Sequence, residues 1–149
     1  MEVNPKDRCV VIHSTETSPG QKLPLKSLRR EIHNSGFYCP ENPVSRLPWH
    51  ILIRRNGEIV AGCDTLDQVG TNPLFAGLNE DCIHIALQGG VDESGKTQNN
   101  FTSRQFSALG KVLDFLIQMY GEQPVMGANQ LFDVEAPGFD VNQWMIDRV

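Results

Sequence analysis

The chain has 149 residues, of which 40% are hydrophobic and 21% charged. This length and composition predict a single domain over residues 1–149 and exclude both a disordered chain and a second catalytic or targeting module. The formal charge is −5, and the basic residues cluster only around Lys26, Arg29 and Arg30. We therefore expect no direct nucleic-acid partner.

Hydropathy excludes a membrane-spanning segment, because no apolar run approaches the roughly 20 residues that a spanning helix needs. The first residues also lack the basic-then-apolar layout of a signal peptide. We expect no membrane partner and a cytoplasmic location.

The four cysteines, Cys9, Cys39, Cys63 and Cys82, are far apart and include no CxxC pair. This spacing fits neither a disulfide framework nor a thiolate zinc site. It predicts reduced, mostly buried thiols.

Two elements are predicted in the first third of the chain. Arg8–Ser14 is a short β-branched apolar run, which indicates a buried strand with His13 near its end. Pro24 then precedes apolar residues spaced three to four apart, which predicts an amphipathic helix over residues 24–35.

The middle of the chain carries the clearest local signal. Residues 49–62 predict two strands joined by Asn56 and Gly57, a dipeptide that favours the positive φ angles of a tight hairpin. Cys82–Leu87 is a second apolar run and predicts an interior strand.

The last third predicts one long helix and two shorter elements. Thr102 stands three residues before Gln105, a capping-box spacing, and Gly121 is a natural terminator of the helix between them. Residues 124–127 predict a short strand, and Asp140 predicts the cap of a closing helix. Strands alternating with helices, plus one hairpin, imply an α/β fold with a mixed sheet covered by helices on both faces.

A series of short motifs follows in a fixed order over roughly residues 9–145. The first strand and helix are followed by Trp49-His50, which opens the hairpin containing Arg54-Arg-Asn-Gly57. The next motif is Val69-Gly70. The others are Leu87-Gln-Gly-Gly-Val-Asp-Glu-Ser-Gly95, Asn100-Phe-Thr-x-x-Gln105 and Ala136-Pro-Gly-Phe-Asp-Val141.

In this order the chain resembles the zinc-dependent N-acetylmuramoyl-L-alanine amidases of the type shared by short phage endolysins and peptidoglycan recognition proteins. The resemblance implies their α/β fold and admits a phage-encoded product. In that family a zinc ion polarises the amide between the muramoyl lactyl group and L-alanine and activates a water. Its three protein ligands are two histidines and a cysteine, which leave a fourth position open.

Carried over position by position, the resemblance implies a degenerate zinc site. His13 matches the first ligand, whereas Ala128 and Ala136 occupy the other two positions. A methyl group has no lone pair, so the remaining imidazole should not hold zinc tightly. Trp49 replaces a tyrosine near the metal, and Val134 replaces a lysine or threonine that would stabilise the oxyanion. We therefore expect no intact catalytic group, a vestigial His13 and no cofactor.

The expected function is binding by a catalytically inactive homologue. One candidate partner is a peptidoglycan fragment in a groove lined by Trp49, Asn72, Phe75 and His84. The other is a protein docked on the same face. RNA polymerase is one such partner by family analogy, since short phage members also bind it.

Other functions stay open from the residues alone. An active amidase would need a rebuilt metal site that draws on His13, His50, His84 and a cysteine, although side-chain alternation disfavours four convergent donors. The alanines could be an engineered ligand knock-out, but Val134 and Asn72 differ as well. A purely structural subunit is a third alternative.

For several of these residues an ordinary structural role is expected instead of a functional one. His13 would simply hydrogen-bond a neighbour, His50 would be structural, and His84 would fill space beside the former metal position. Core packing is expected for Phe132. The acid pairs Glu80-Asp81 and Asp92-Glu93 are expected to be solvated turn residues rather than glycosidase carboxylates.

Overall fold

A computed structural model of the protein describes residues 9–21, 49–61 and 82–148. This part of the chain forms the strands β1 (Cys9–Ser14), β2 (Ile51–Ile53), β3 (Ile59–Ala61), β4 (Cys82–Leu87) and β5 (Val125–Gly127). It also forms the helices α1 (Ser103–Tyr120), α2 (Ala128–Leu131) and α3 (Val141–Asp147). The predicted helix over residues 24–35 and the basic patch at Lys26, Arg29 and Arg30 lie outside the described residues.

The strands form one mixed sheet in the order β3-β2-β4-β1-β5. Strand β1 runs parallel to both β4 and β5, β2 runs parallel to β4, and β3 is antiparallel to β2. Every residue of β1 and β4 is buried. Both faces of the central strands are therefore covered, as is usual for parallel strands.

Helix α1 begins and ends where local sequence signals predict. The Thr102 hydroxyl accepts from the Gln105 amide at 3.1 Å, and the Gln105 side-chain oxygen accepts from the Thr102 amide at 2.9 Å. At the other end Gly121 takes a φ of +80° and donates its N–H to the Ile117 carbonyl. These bonds satisfy backbone groups that a helix terminus otherwise leaves without partners. No helix within the described ranges is long and apolar enough to cross a membrane.

The main apolar core lies between α1 and one face of the sheet. Alternation along the strands places every second residue on that face. The sheet contributes Val10, Ile12, Ile53, Ile83, Ile85 and Leu87, and α1 contributes Ala108, Leu109, Val112, Leu113 and Leu116.

Helix α3 joins the same core. The Asp140 side chain accepts from the Gln143 amide at 3.1 Å, which confirms its predicted role as the helix cap. Val141 is buried in the core, and Trp144 and Met145 pack against it partly buried.

The opposite face of the sheet carries a different set of side chains. A second buried cluster there contains Cys9, Val11, Cys82 and Ala128, with Met126, Phe132 and Val134 packed against it. Alternation adds His13 and His84 to this face. We call it the histidine face. The packing position expected for Phe132 is confirmed.

The β2–β3 hairpin is confirmed, but its turn is longer than the predicted two residues. Arg54 donates its amide to the Glu58 carbonyl, and Gly57 donates its amide to the Arg54 carbonyl. Gly57 has a φ of +89°, whereas Asn56 does not have a positive φ. This is a three-residue loop with glycine in the left-handed position. The extra residue, Arg55, donates from its guanidinium to the Asn100 carbonyl beside the start of α1.

The prediction of reduced thiols is wrong for two of the four cysteines. Cys9 and Cys82 form a disulfide, with their Cα atoms 4.8 Å apart. They are directly opposite residues of the parallel β1–β4 pair. Their separation of 73 residues along the chain hid this proximity, because sequence spacing does not reveal which strands pair. Cys39 and Cys63 lie outside the described residues.

Gln105 offers a test of how the sheet and α1 are joined. Its fully buried side chain donates to the carbonyls of Ile53 at 3.2 Å and Gln88 at 2.8 Å, besides its capping bond. We expect Gln105→Leu to lower the free energy of unfolding by about 2–4 kcal/mol, because buried polar groups lose their partners. Urea denaturation would measure it.

The matched control is Gln118→Leu, at an exposed position of the same helix. It should change the free energy of unfolding by no more than about 0.5 kcal/mol. Equal effects of the two substitutions would contradict this role of Gln105.

Candidate functional site

Three buried histidines converge on the histidine face near the middle of the sheet. His13 lies at the end of β1, His84 lies in β4, and His50 immediately precedes β2. Their exposed fractions are 3%, 0% and 2%. The parallel register brings them together, since His84 lies opposite Val11 and His50 adjoins the paired residue Ile51.

The histidines form a column of direct contacts. His13 Nε2 lies 2.8 Å from His84 Nδ1, so one of these nitrogens donates to the other. The backbone N–H of His84 donates to His50 Nδ1 at 2.9 Å. The rings of His50 and His84 stack with an interplanar angle of 5°. These contacts include the hydrogen bond to a neighbouring side chain that was expected of His13, and the structural role of His50 stays a prediction.

The environment keeps His13 uncharged. Burial lowers the pKa of His13 well below its usual value of 6.5, and the neighbouring His84 and His50 lower the pKa further. A second positive charge beside an imidazolium would be repelled within this desolvated site. His13 is therefore neutral at pH 7.

One of the positions that the resemblance assigns to the other zinc ligands, Ala128, also lies at this face. Gly127 pairs with Ile12, so Ala128 follows one residue beyond that pair, next to the level of His13. Ala128 is 2% exposed and packs in the same apolar cluster as Val11. Ala136 is also buried and directly precedes Pro137.

These residues do not fit a catalytic zinc. His13 Nε2 already bonds His84, and the side chains of Ala128, Ala136 and Val134 have no lone pairs. Across residues 9–21, 49–61 and 82–148 no group of three or more histidine, cysteine or acidic residues could hold a metal ion. Cys82 is excluded as a thiolate ligand because its sulfur is in the disulfide. A catalytic zinc requires three protein donors in tetrahedral geometry.

The residues predicted to line a ligand groove are only partly described. Asn72 and Phe75 lie outside the described residues. Trp49 is 8% exposed and His84 is fully buried. In this conformation His84 contacts the other histidines rather than the surface, and the groove itself stays a prediction.

The carboxylate of Asp92 accepts hydrogen bonds within a turn. Its Oδ1 accepts from the Ser94 amide at 2.8 Å, the Ser94 hydroxyl at 2.7 Å and the Lys96 amide at 3.0 Å. The Ser94 hydroxyl, followed by the backbone bonds, lowers the pKa of Asp92. This agrees with the expected turn role. The pair Glu80-Asp81 lies outside the described residues.

Sequence reasoning missed the disulfide beside this site, although one signal was available. Cys9 and His13 are an even number of residues apart, as are Cys82 and His84. In paired strands, residues an even number apart share a face. Placing the two histidines together would therefore also have placed the two cysteines on that face.

Comparison with known sequences gives one consistent family. A family model described as N-acetylmuramoyl-L-alanine amidase matches residues 4–133. The endolysins of Enterobacteria phage T3 and Escherichia phage T7 are each 27% identical to the chain over 135 residues. Each alignment covers 91% of this chain and 83% of the endolysin.

Comparison with solved structures gives the same fold. The N-acetylmuramoyl-L-alanine amidase LysC of Clostridium intestinale superposes with a TM-score of 0.68 at 20% identity, covering 91% of this chain and 78% of that one. Peptidoglycan Recognition Protein-1 of Manduca sexta gives a TM-score of 0.64 at 20% identity, with coverages of 91% and 73%. The ectodomain complex of the recognition proteins LCa and LCx, solved with bound tracheal cytotoxin, gives 0.64 at 21%, with coverages of 89% and 76%.

The lowered pKa of His13 predicts a pH dependence of stability. The unfolded chain takes up a proton near pH 6.5, whereas the folded protein resists it. The stabilising contribution is complete above pH 6.5 and is lost as the pH falls toward the folded-state pKa. The free energy of unfolding should fall by up to about 1.4 kcal/mol per pH unit below pH 6.5.

Urea denaturation of the wild type and His13→Gln at pH 7.5, 6.5, 6.0 and 5.5 would measure this slope. Glutamine keeps hydrogen-bonding capacity but does not titrate in this range. The variant should lose most of the slope. A wild-type free energy that stays constant down to pH 5.5 would contradict a neutral buried His13.

Proposed function

Since the chain belongs to the N-acetylmuramoyl-L-alanine amidase family, we propose that it acts by binding a peptidoglycan fragment and does not hydrolyse it. The observation that carries this proposal is the direct bond between His13 Nε2 and His84 Nδ1. One imidazole nitrogen of the residue that the resemblance assigns to zinc is thus bonded to another side chain.

The chemistry of amide hydrolysis explains why this arrangement is unsuited to catalysis. Water attack on an amide needs an activated nucleophile and stabilisation of the negative charge that develops on the carbonyl oxygen. A buried neutral His13 bonded to His84 supplies neither. Val134 offers only methyl groups at the position that the resemblance gives to an oxyanion donor, and it packs against the apolar cluster.

Several observations support a peptidoglycan fragment as the ligand. The sequence relatives are endolysins, and the structural relatives include amidases and peptidoglycan recognition proteins. One structural relative holds tracheal cytotoxin. Within the histidine column, His13 lies next to the carboxyl end of a parallel strand, which is where open α/β sheets commonly bind ligands. The scaffold of the family is thus kept while its metal chemistry is not.

Zinc content tests the loss of the metal site directly. We expect the wild type to retain far less than one zinc per chain after dialysis, because alanines occupy two of the three ligand positions. The triple variant His84→Gly/Ala128→His/Ala136→Cys removes the occupying imidazole and restores both donors. It should gain zinc approaching one equivalent, measured by elemental analysis.

The control is His84→Gly alone, which vacates the same space without adding a donor and should gain no zinc. Near-stoichiometric zinc in the wild type, together with chelator-sensitive release of L-alanine peptides from peptidoglycan, would contradict the proposal. That result would establish an active amidase with a rebuilt site.

Ligand binding is tested with a purified muramyl peptide by titration calorimetry. The wild type should give a saturable isotherm without cleavage of the peptide. Asn72→Ala should weaken binding roughly tenfold or more, which corresponds to about 1.4 kcal/mol or more, because Asn72 is predicted to line the ligand groove.

The matched control is Lys111→Ala, at an exposed position of α1 on the other side of the sheet, which should bind like the wild type. Absence of any saturable binding by folded wild-type protein would overturn the peptidoglycan assignment. The proposal would then give way to a protein partner.

A further inference from the structure

The Cys9–Cys82 disulfide joins the two central strands of the sheet. The cysteines are the first residues of β1 and β4 and lie opposite each other in the parallel register. Their Cα separation of 4.8 Å is within the range that a disulfide spans without backbone movement. The bond thus fixes the pair of residues at which the parallel register of β1 and β4 begins.

The disulfide and the histidine contact lie on the same strand pair and the same face. His13 lies four residues after Cys9, and His84 lies two residues after Cys82, so all four side chains project to the histidine face. The disulfide holds the β1–β4 register at one end, and the bond between His13 and His84 forms toward the other. The register that the disulfide holds is the one in which the imidazoles meet.

We propose that this disulfide is a redox-sensitive lock on the histidine face. The oxidised chain is the working form, and reduction destabilises the β1–β4 pair that positions His13 and His84. This inference is independent of the ligand that the protein binds.

The long sequence separation of the two cysteines makes their disulfide strongly stabilising. The crosslink closes a loop across 73 residues, which includes the whole β2–β3 hairpin. Tying such distant residues together restricts the unfolded chain far more than it restricts the folded one, in which the cysteines already face each other. The oxidised protein should therefore be considerably more stable than the reduced protein.

Burial determines how the lock opens. Cys9 and Cys82 are 7% and 4% exposed and pack with Val11 and Ala128. An external thiol must reach a sulfur atom to exchange with it, so reduction requires the strand pair to open first. Reduction should be slow in the native state and fast in denaturant.

The redox step balances with an ordinary thiol–disulfide couple. Forming the Sγ–Sγ bond removes two thiol protons and two electrons, and the electrons reduce one external disulfide, such as oxidised glutathione, to two thiols. Such bonds persist mainly in oxidising compartments. The inference departs in this respect from the cytoplasmic location that the sequence predicts, and it favours action outside a reducing cytosol.

The first measurement is a thiol count with peptide mapping. Protein equilibrated with oxidised glutathione, denatured without reductant and alkylated should show two reactive thiols of its four cysteines. Mass spectrometry should find the peptides of Cys9 and Cys82 linked. Four reactive thiols, or a link that joins other cysteines, would overturn the proposal.

The second measurement is thermal unfolding of oxidised and reduced protein, the latter reduced in denaturant and refolded with dithiothreitol. We expect reduction to lower the melting temperature of the wild type by roughly 5–15 °C. Chemical reduction of the wild type keeps this test valid even where a cysteine variant fails to fold. A shift below about 2 °C would overturn the proposal, because the bond would then add too little stability to act as a lock.

Two matched double variants test which pair of cysteines produces the redox-dependent shift in melting temperature. Cys39→Ala/Cys63→Ala should keep the full redox-dependent shift. Cys9→Ala/Cys82→Ala should melt near the temperature of the reduced wild type and should not respond to dithiothreitol. The opposite pattern would assign the redox response to the other cysteines and overturn the proposal.

Discussion

The structure of the site depends on one contact, the 2.8 Å bond between His13 Nε2 and His84 Nδ1. Both rings are almost completely buried, and a buried polar group is costly unless it is paired. Pairing imidazole with imidazole meets that requirement without a metal. It also engages Nε2 of His13 with a side chain of the protein itself. His84 is bonded in turn to His50 through its backbone amide.

The two faces of the sheet have different roles. One face packs against α1 through a cluster whose buried members are all aliphatic, and the capping bonds of Thr102 and Gln105 fix where that helix begins. That face contains the larger part of the described core and does not involve the histidines. The opposite face carries the histidines, the disulfide and Ala128. The larger cluster, on the α1 face, therefore does not depend on which residues occupy the histidine face.

Local sequence signals predicted the elements well, because capping and turn formation depend on neighbouring residues. Thr102, Gly121 and Asp140 bound their helices as expected, and the resemblance identified the fold. The loop of the hairpin was predicted one residue too short, since only Gly57 takes the positive φ that the two-residue turn would require of Asn56 as well. The disulfide was missed and the imidazole pair was foreseen only in outline. Both depend on the β1–β4 register, which no local pattern specifies.

Nitrogen-15 NMR of the imidazole side chains tests the central claim most directly. At pH 7.5 we expect His13 to be neutral, with a scalar coupling between His13 Nε2 and His84 Nδ1 across their hydrogen bond. We also expect that one equivalent of Zn²⁺ leaves these resonances unchanged. A metal-bound shift of His13 Nε2, with loss of the coupling, would show that the imidazole still serves as a zinc ligand and would contradict the account.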